Sequence, residues 1–382
     1  MEPVMNQMNE IYKLISIFLN RKDTVEEKKR ILDWFEKQSE NGISETEFAN
    51  IQNRTKKSLL REIQHSERKI TQLRTVKYTA IAASILLIGF SILKFWPKPE
   101  ILATAEQLAS IPPGKEKAII VLGNGRRIDL EHLPLNQSIQ TGDAIIKKDG
   151  NGQISYHDVK TGQGDIQKNS MYTPKGATYD LTLSDGTLVT LNADSKISYP
   201  ASFNNGEREV ELQGEAYFHV QKTSNKSKFI VKTRGQKIEV LGTRFNVNAY
   251  SETDKIQTTL EEGSVLVSAQ DVPQGNIYLK PSEQATLQHG ALSSHRVNIE
   301  EVLSWKKGQF YFNGNNTEEV MQQIARWYNI DITYRRSKDK EQYTGTIPRD
   351  LSLNKLIELL NYADLNTKAL VGENSRIKLI IT

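Results

Sequence analysis

Serine, histidine and carboxylate side chains are the first place to look for chemistry in this 382-residue chain. Ser195, His219, Asp185 and Glu215 are the residue types of acyl transfer, where a base takes the hydroxyl proton and a third group holds the base. His157-Asp158 is a second pairing of that kind. Their spacing composes no recognisable nucleophile, base and orienter. The six histidines make no pair or cluster at metal-ligand spacing, and His65 lies in a strongly charged stretch. The chain has no cysteine, which removes disulfides, thiolate zinc sites and a cysteine nucleophile. This reads as a protein that is no enzyme and holds no metal or cofactor. The net charge of +4 is small and gathers beside one apolar stretch, so direct nucleic-acid binding is not expected either. What remains is recognition, and the elements that present it.

Residues 78–96, YTAIAASILLIGFSILKFW, organise those elements. Tyr78 to Leu93 carry no charge, Lys77 and Lys94 flank them, and Trp96-Pro97 close the run. A helix from Val76 to Trp96 would span about 30 Å at 1.5 Å per residue, the thickness of a bilayer core. A buried core helix is the alternative, and it would need other elements around it on all sides. The spacing and the Tyr, Phe and Trp at its ends predict a transmembrane helix. Arg54, Lys56, Lys57, Arg61, Arg68, Lys69, Arg74 and Lys77 precede it, whereas only Lys94, Lys98, Lys115 and Lys117 follow up to residue 117. The positive-inside rule then places 1–77 in the cytoplasm and 97–382 outside, a single-pass inner-membrane protein with periplasmic C-terminal domains.

The segment 1–77 reads as a small all-α domain. Ile11, Leu14, Ile15, Phe18 and Leu19 follow one helix face. Thr24 to Glu27 and Ser44 to Glu47 are capping boxes opening two further helices, the first carrying Leu32, Trp34 and Phe35. Three short helices bury little area, so part of this stripe is available to a partner helix or groove.

After Pro99 the pattern changes to alternation with Gly-centred turns, an all-β region over 97–300 of sandwich or solenoid-like form. A repeat at an offset of 61 aligns Pro113 with Pro174, Ile120 with Leu181, Leu122 with Leu183, Asn124-Gly125 with Asp185-Gly186, and Leu130 with Leu191. Each copy reads as a hairpin about an Asn-Gly or Asp-Gly turn. Further strands are expected at 209–212, 216–220, 228–233, 237–241, 245–250, 255–260 and 264–268. Gly214 suits a position of positive φ, Tyr217 and Phe218 fall on opposite faces, and Glu215 serves either a partner contact or a structural hydrogen bond.

TLSDGTLVTLNADS (182–195), ELQGEAYFHV (211–220), VLGTRFNVNAY (240–250) and LEEGSVLV (260–267) resemble the successive signatures of the FecR family. The resemblance implies an anti-sigma factor whose outer domain senses the signalling domain of a loaded outer-membrane TonB-dependent transporter. Its cytoplasmic segment would hold an extracytoplasmic-function sigma factor, here through the 11–35 stripe. Some members of the family split themselves at the bond matching Gly242-Thr243. The threonine hydroxyl would attack the preceding carbonyl from a strained turn and give an ester that hydrolyses. A plain structural turn is the other reading of that pair.

The remainder, 301–382, opens at Trp305 and reads as two β-α-β units, a small sheet with both helices on one face. WKKGQFYFNGNNTEEVMQQIARWYNIDITY resembles the C-terminal domain of FecR-type regulators, itself similar to the short N-terminal domain of secretins and TonB-dependent transporters. Within it Trp327 and Tyr328 are expected in a core and Arg326 exposed. A membrane-anchored periplasmic ligand-binding or scaffold protein is the alternative function. A glycan site of that kind would use exposed aromatics, for which Tyr156 and Phe203 are the candidates.

Overall fold

The computed structural model describes residues 101–382 apart from 142–143, 159–167, 204–205, 270–274, 336–340 and 373–375; before residue 101 it describes 25–26, 29, 33, 53, 56–57, 60–61, 63, 83–91 and 93–94. The chain divides into two compact units, Met1–Pro99 and Glu100–Thr382. In the first, the described positions are helical, including 83–91 and 93–94. Ile11, Leu14, Ile15, Phe18, Leu19, Leu32, Trp34 and Phe35 lie outside the described residues. Among the described residues no helix is long and apolar enough to cross a membrane.

The second unit begins with a β body in which nineteen strands, among the described residues, form one pairing network folded into two facing sheets. Strands such as Lys168–Thr173 and Ala177–Thr182 bury every second residue, so each sheet turns one face inward. One apolar core takes side chains from both sheets, among them Ile120, Met171, Phe218, Phe229 and Phe245. That is a sandwich, and successive hairpins alternate between its sheets: Phe229–Lys232 with Gln236–Val240 in one, Arg244–Ala249 with Lys255–Glu262 in the other.

The two repeat hairpins close identically. Gly125 N–H donates to Leu122 O at 2.8 Å and Gly186 N–H to Leu183 O at 2.9 Å, each glycine at φ 83. The Asn124 and Asp185 side chains each accept from the backbone two residues on, at 2.9 Å. The strands expected at 209–212 and 216–220 are one, Arg208–His219. Its first half pairs with Ser195–Pro200 and Phe229–Lys232, its second with Leu188–Leu191 and Arg244–Ala249. The change of sheet falls at Gly214, at φ 86, the kind of bend by which a strand turns a sandwich corner.

The C-terminal module corrects one expectation. Its strands form two sheets: Gln309–Asn316 with Gln342–Pro348, and Asp331–Tyr334, Ile377–Ile381 and Thr367–Val371. Helix Thr317–Tyr328 buries Val320, Met321, Ile324, Trp327 and Tyr328, a stripe too wide for a single sheet to cover, and it packs on both. Asn316 and Glu319 close its capping box, and Asn329 ends it at φ 52. Segment 101–111, which sequence alternation assigns to the β region, packs on this module: Leu108 belongs to its core.

Buried phenols make the fold sensitive to alkali. Burial raises Tyr156, Tyr179 and Tyr328, and partial burial Tyr334, from 10 to about 12. The unfolded chain then loses these protons first, so stability is whole below pH 10 and falls as pH rises toward 12. Tyrosinate absorbance from these side chains is expected to rise together with loss of β-sheet circular dichroism. Ionisation of all four with the sheet signal intact would contradict their burial.

Candidate functional site

Glu215 stands where the long strand has just changed sheet. Val210, Leu212, Ala216 and Phe218 face the sandwich core, so Glu215 and Tyr217 point to the other side. That side is covered too: Tyr217 packs with Leu303 and Trp305 from the connection into the C-terminal module. Beside them a polar cleft of about 630 Å³ opens between the second sheet and helix Thr317–Tyr328.

At the cleft floor the Glu215 carboxylate accepts from Asn192 Nδ2 at 2.7 Å and Asn246 Nδ2 at 3.0 Å. Each amide then reaches across to the C-terminal module. Asn246 Oδ1 accepts from Trp305 Nε1 at 3.3 Å, and Asn192 Oδ1 from Arg349 Nη1 at 3.2 Å. Arg349 lies between the rings of Phe310 and Trp327, 4.8 and 4.9 Å from their centroids. Burial lowers its guanidinium to about 10, against the raising influence of Glu215. Buried charge tolerated in this way depends on its partners staying in place, so the network holds the two modules to one register.

The sequence motif residues sort into two clusters. Glu215, Trp305, Arg326 and Trp327 line the cleft, whereas Tyr328 lies in the C-terminal module's core and donates to Leu351 O at 2.7 Å. Arg326 is not exposed as expected: its side chain is 11% accessible, stacked 3.9 Å over Tyr250 and paired with Glu252. A local pattern could not show this, because Tyr250 and Glu252 belong to the other module. Lys255 and Glu319 add a further bridge across the cleft at 2.6 Å. Gly214 is needed for space as well as conformation, since a Cβ there would lie 2.5 Å from Ser195 Oγ.

The second cluster lies at the far end of the long strand. Asp185 pairs with Arg208 at 2.6 Å with both side chains buried. Arg208 also donates to Gln221 O and Ser227 O, each at 2.9 Å. In the sequence Asp185 is accounted for by its turn, and Arg208 has no evident role. Nothing at either position predicts that a strand residue reaches back to a turn 23 residues earlier. Gly242 and Thr243 adjoin this cluster. A Cβ at Gly242 would meet Lys222 Cγ at 2.1 Å, and Thr243 O accepts from Val220 N at 3.0 Å.

The acyl-transfer candidates are not brought together. Ser195 Oγ accepts from the Glu215 backbone N–H at 2.9 Å, while Asp185 is held by Arg208. Among the described residues no group of three or more His, Asp and Glu is placed to hold a metal ion. The aromatic platform is also corrected. Tyr156 is 3% exposed and bonds to Tyr199 at 2.9 Å, and Phe203 packs against the sandwich core. Alternation could not separate a core tyrosine from a loop one.

Thr243 Oγ1 donates to Ser264 O at 3.1 Å, and Gly242 has no left-handed φ. Neither a strained glycine nor a bonded imidazole or carboxylate is seen at this hydroxyl among the described residues. The purified full chain is therefore expected to run as a single band after prolonged incubation. Two fragments that vanish in Thr243→Ala would show that the hydroxyl attacks nonetheless.

Comparison with known proteins follows the same two modules. The family model described as FecR protein matches residues 169–266, and that described as FecR, C-terminal matches 309–375. Two crystal structures of a candidate anti-sigma factor from Parabacteroides distasonis, at 2.50 and 1.65 Å resolution, are similar at 30% identity and a TM-score of 0.50. Each match covers 56% of this chain and 99% of the solved one. No curated protein matches the chain.

Proposed function

The chain belongs to the FecR family, and from that premise we propose that it is an anti-sigma regulator that spans the inner membrane once. It relays a signal received by Glu100–Thr382 in the periplasm to a sigma factor held by residues 1–77 in the cytoplasm. The sigma factor is of the extracytoplasmic-function class, and the signal comes from the signalling domain of an outer-membrane TonB-dependent transporter. The family's role is regulation rather than catalysis.

One observation carries the membrane part. Along the helix at 83–91 and 93–94, Ile85, Leu86, Leu87, Ile88, Phe90 and Leu93 are 60–82% exposed. Apolar area left in water costs roughly 25 cal/mol per Å², and lipid removes that cost. This supports a span over a core helix, which would be wrapped by other elements. The transporter partner rests on what the resemblance of WKKGQFYFNGNNTEEVMQQIARWYNIDITY implies; the family model that matches this module is that described as FecR, C-terminal. The glycan-binding alternative loses its main support with Tyr156 in the core and Phe203 half-buried against it.

The test joins topology to binding. Reporter fusions at Asn53 and Gly308 are expected to be active in opposite compartments, cytoplasm and periplasm. The full chain extracted from membranes is expected to carry a sigma factor, and Trp34→Ala to weaken that contact about thirty-fold, the effect of losing an aromatic anchor worth ~2 kcal/mol. A cytoplasm-only reporter active at Gly308, or no sigma factor bound, would overturn the reading.

A further inference from the structure

The residues that follow the apolar helix belong to the module at the opposite end of the chain. Leu102 bridges antiparallel to Leu370. Ala103 N–H donates to Ala369 O and Val371 N–H to Ile101 O, each at 2.9 Å. Residues 101–103 thus extend the sheet of Asp331–Tyr334, Ile377–Ile381 and Thr367–Val371 by one short strand. Next comes helix Ala105–Ala109, capped by Thr104 and Gln107 and packed on helix Leu353–Tyr362. Leu108 belongs to the module's core and Ile111 packs against it, and Gly114 lies against the Trp327 ring, where a Cβ would come within 2.7 Å.

The two parts of this attachment differ in kind. Residues 104–114 are anchored by a capped helix and by side chains in the core. Residues 101–103 are held by two backbone hydrogen bonds and by the small Ala103 methyl packed against the core, while Ile101 and Leu102 stay 62% and 65% exposed. A strand so bound can peel from the sheet and leave the core intact. Only residues 95–100 separate Lys94, in the apolar helix, from Ile101. Freeing three residues adds up to roughly 10 Å of chain between Lys94 and the module's core.

We propose that Ile101–Ala103 is a detachable strap that ties the C-terminal module to the apolar helix, and that its release passes a binding event on that module to the helix without routing it through the β body. Its effect on transcription rests on the regulator reading above. The physical claim is a two-state element, strap paired or strap free, which a partner of the C-terminal module biases.

The experiment uses the full chain in membranes, which holds no other cysteine. Leu102 and Leu370 lie between the two hydrogen bonds and so form a non-hydrogen-bonded pair with Cα atoms about 4.5 Å apart, within disulfide range. Leu102→Cys with Leu370→Cys is expected to crosslink on oxidation, read as a gel shift reversed by reductant. Ala103→Pro removes one of the two donors. At matched chain level it is expected to raise sigma-dependent transcription at least about fivefold, the low end of coupling between sites. Oxidised Ala103→Pro carrying both cysteines is expected to return to the unaltered level. Absence of the crosslink, an unaltered output in Ala103→Pro, or failure of the crosslink to restore it would each overturn the strap. If deleting the whole chain leaves transcription unchanged, the regulator reading falls, and the gel shift still judges the strap.

Discussion

Asp185→Ala is expected to cost the unit Glu100–Thr382 about 3–5 kcal/mol, the range for removing one partner of a buried ion pair. Asp185 and Arg208 are 7% and 3% exposed at their side chains, so water cannot replace the lost carboxylate. Arg208 already has an unpartnered Nε, and without Asp185 its charge would keep only two backbone carbonyls and the Phe229 ring, 5.4 Å away, as partners, with no anion to balance it. The same change frees the turn, because Asp185 accepts from Thr187 N at 2.9 Å and Thr187 Oγ1 at 2.7 Å. Urea unfolding of the full chain measures it. The second arm separates charge from packing. Asp185→Leu with Arg208→Met removes both charges and is expected to recover most of the loss, since a hydrophobic pair of similar volume replaces a buried ion pair at little cost. A double variant as unstable as Asp185→Ala would mean that the turn, and not the ion pair, holds this end of the sandwich.

Gly214→Ala is the second large effect. At φ 86 an alanine carries backbone strain of about 1–3 kcal/mol. Its Cβ would also meet Ser195 Oγ at 2.5 Å, Ser195 Cα at 2.7 Å and Asp194 O at 2.8 Å. Ser195 Cα belongs to a paired strand and Asp194 O to the turn that leads into it, so relief must come from moving the corner, at a further ~1–3 kcal/mol. Gly125→Ala is the control, because it has nearly the same φ of 83 and nothing within 4 Å of its Cβ. It is expected to lose only the strain. Equal losses at the two glycines would show that close approach at the corner contributes nothing. A larger loss at Gly214 should also displace Glu215, whose backbone N–H bonds Ser195 Oγ, and so loosen the cleft network.

How much of this was readable beforehand depends on range. The Asn-Gly and Asp-Gly turns, the strands from 228 to 268 and the helices after Asn316 and Ser352 need only neighbours within a few residues, and their patterns predict them closely. The FecR motifs led to the right family, and the positive φ at Gly214 and the turn at Asp185-Gly186 follow from residue type alone. Fusion of two expected strands into Arg208–His219 was missed, because a glycine reads as a break where here it is a bend. In the structure residues 214–218 are all buried, so both faces of the strand are covered there, which a stretch reading Gly-Glu-Ala-Tyr-Phe does not announce.

The sequence by itself determined the local conformations, the apolar stretch with its basic flank and the family, since each is written in residues close along the chain. Only the tertiary structure decided which distant residues meet. It set Arg349 on Asn192 across 157 positions, Arg326 over Tyr250, Arg208 on Asp185 and residues 101–103 along the edge of Thr367–Val371. A guanidinium or a backbone N–H has many chemically equivalent acceptors in a chain of this length. The choice among them is made by the order in which two sheets and a packed helix bring backbones together, and no spacing between residues records that order.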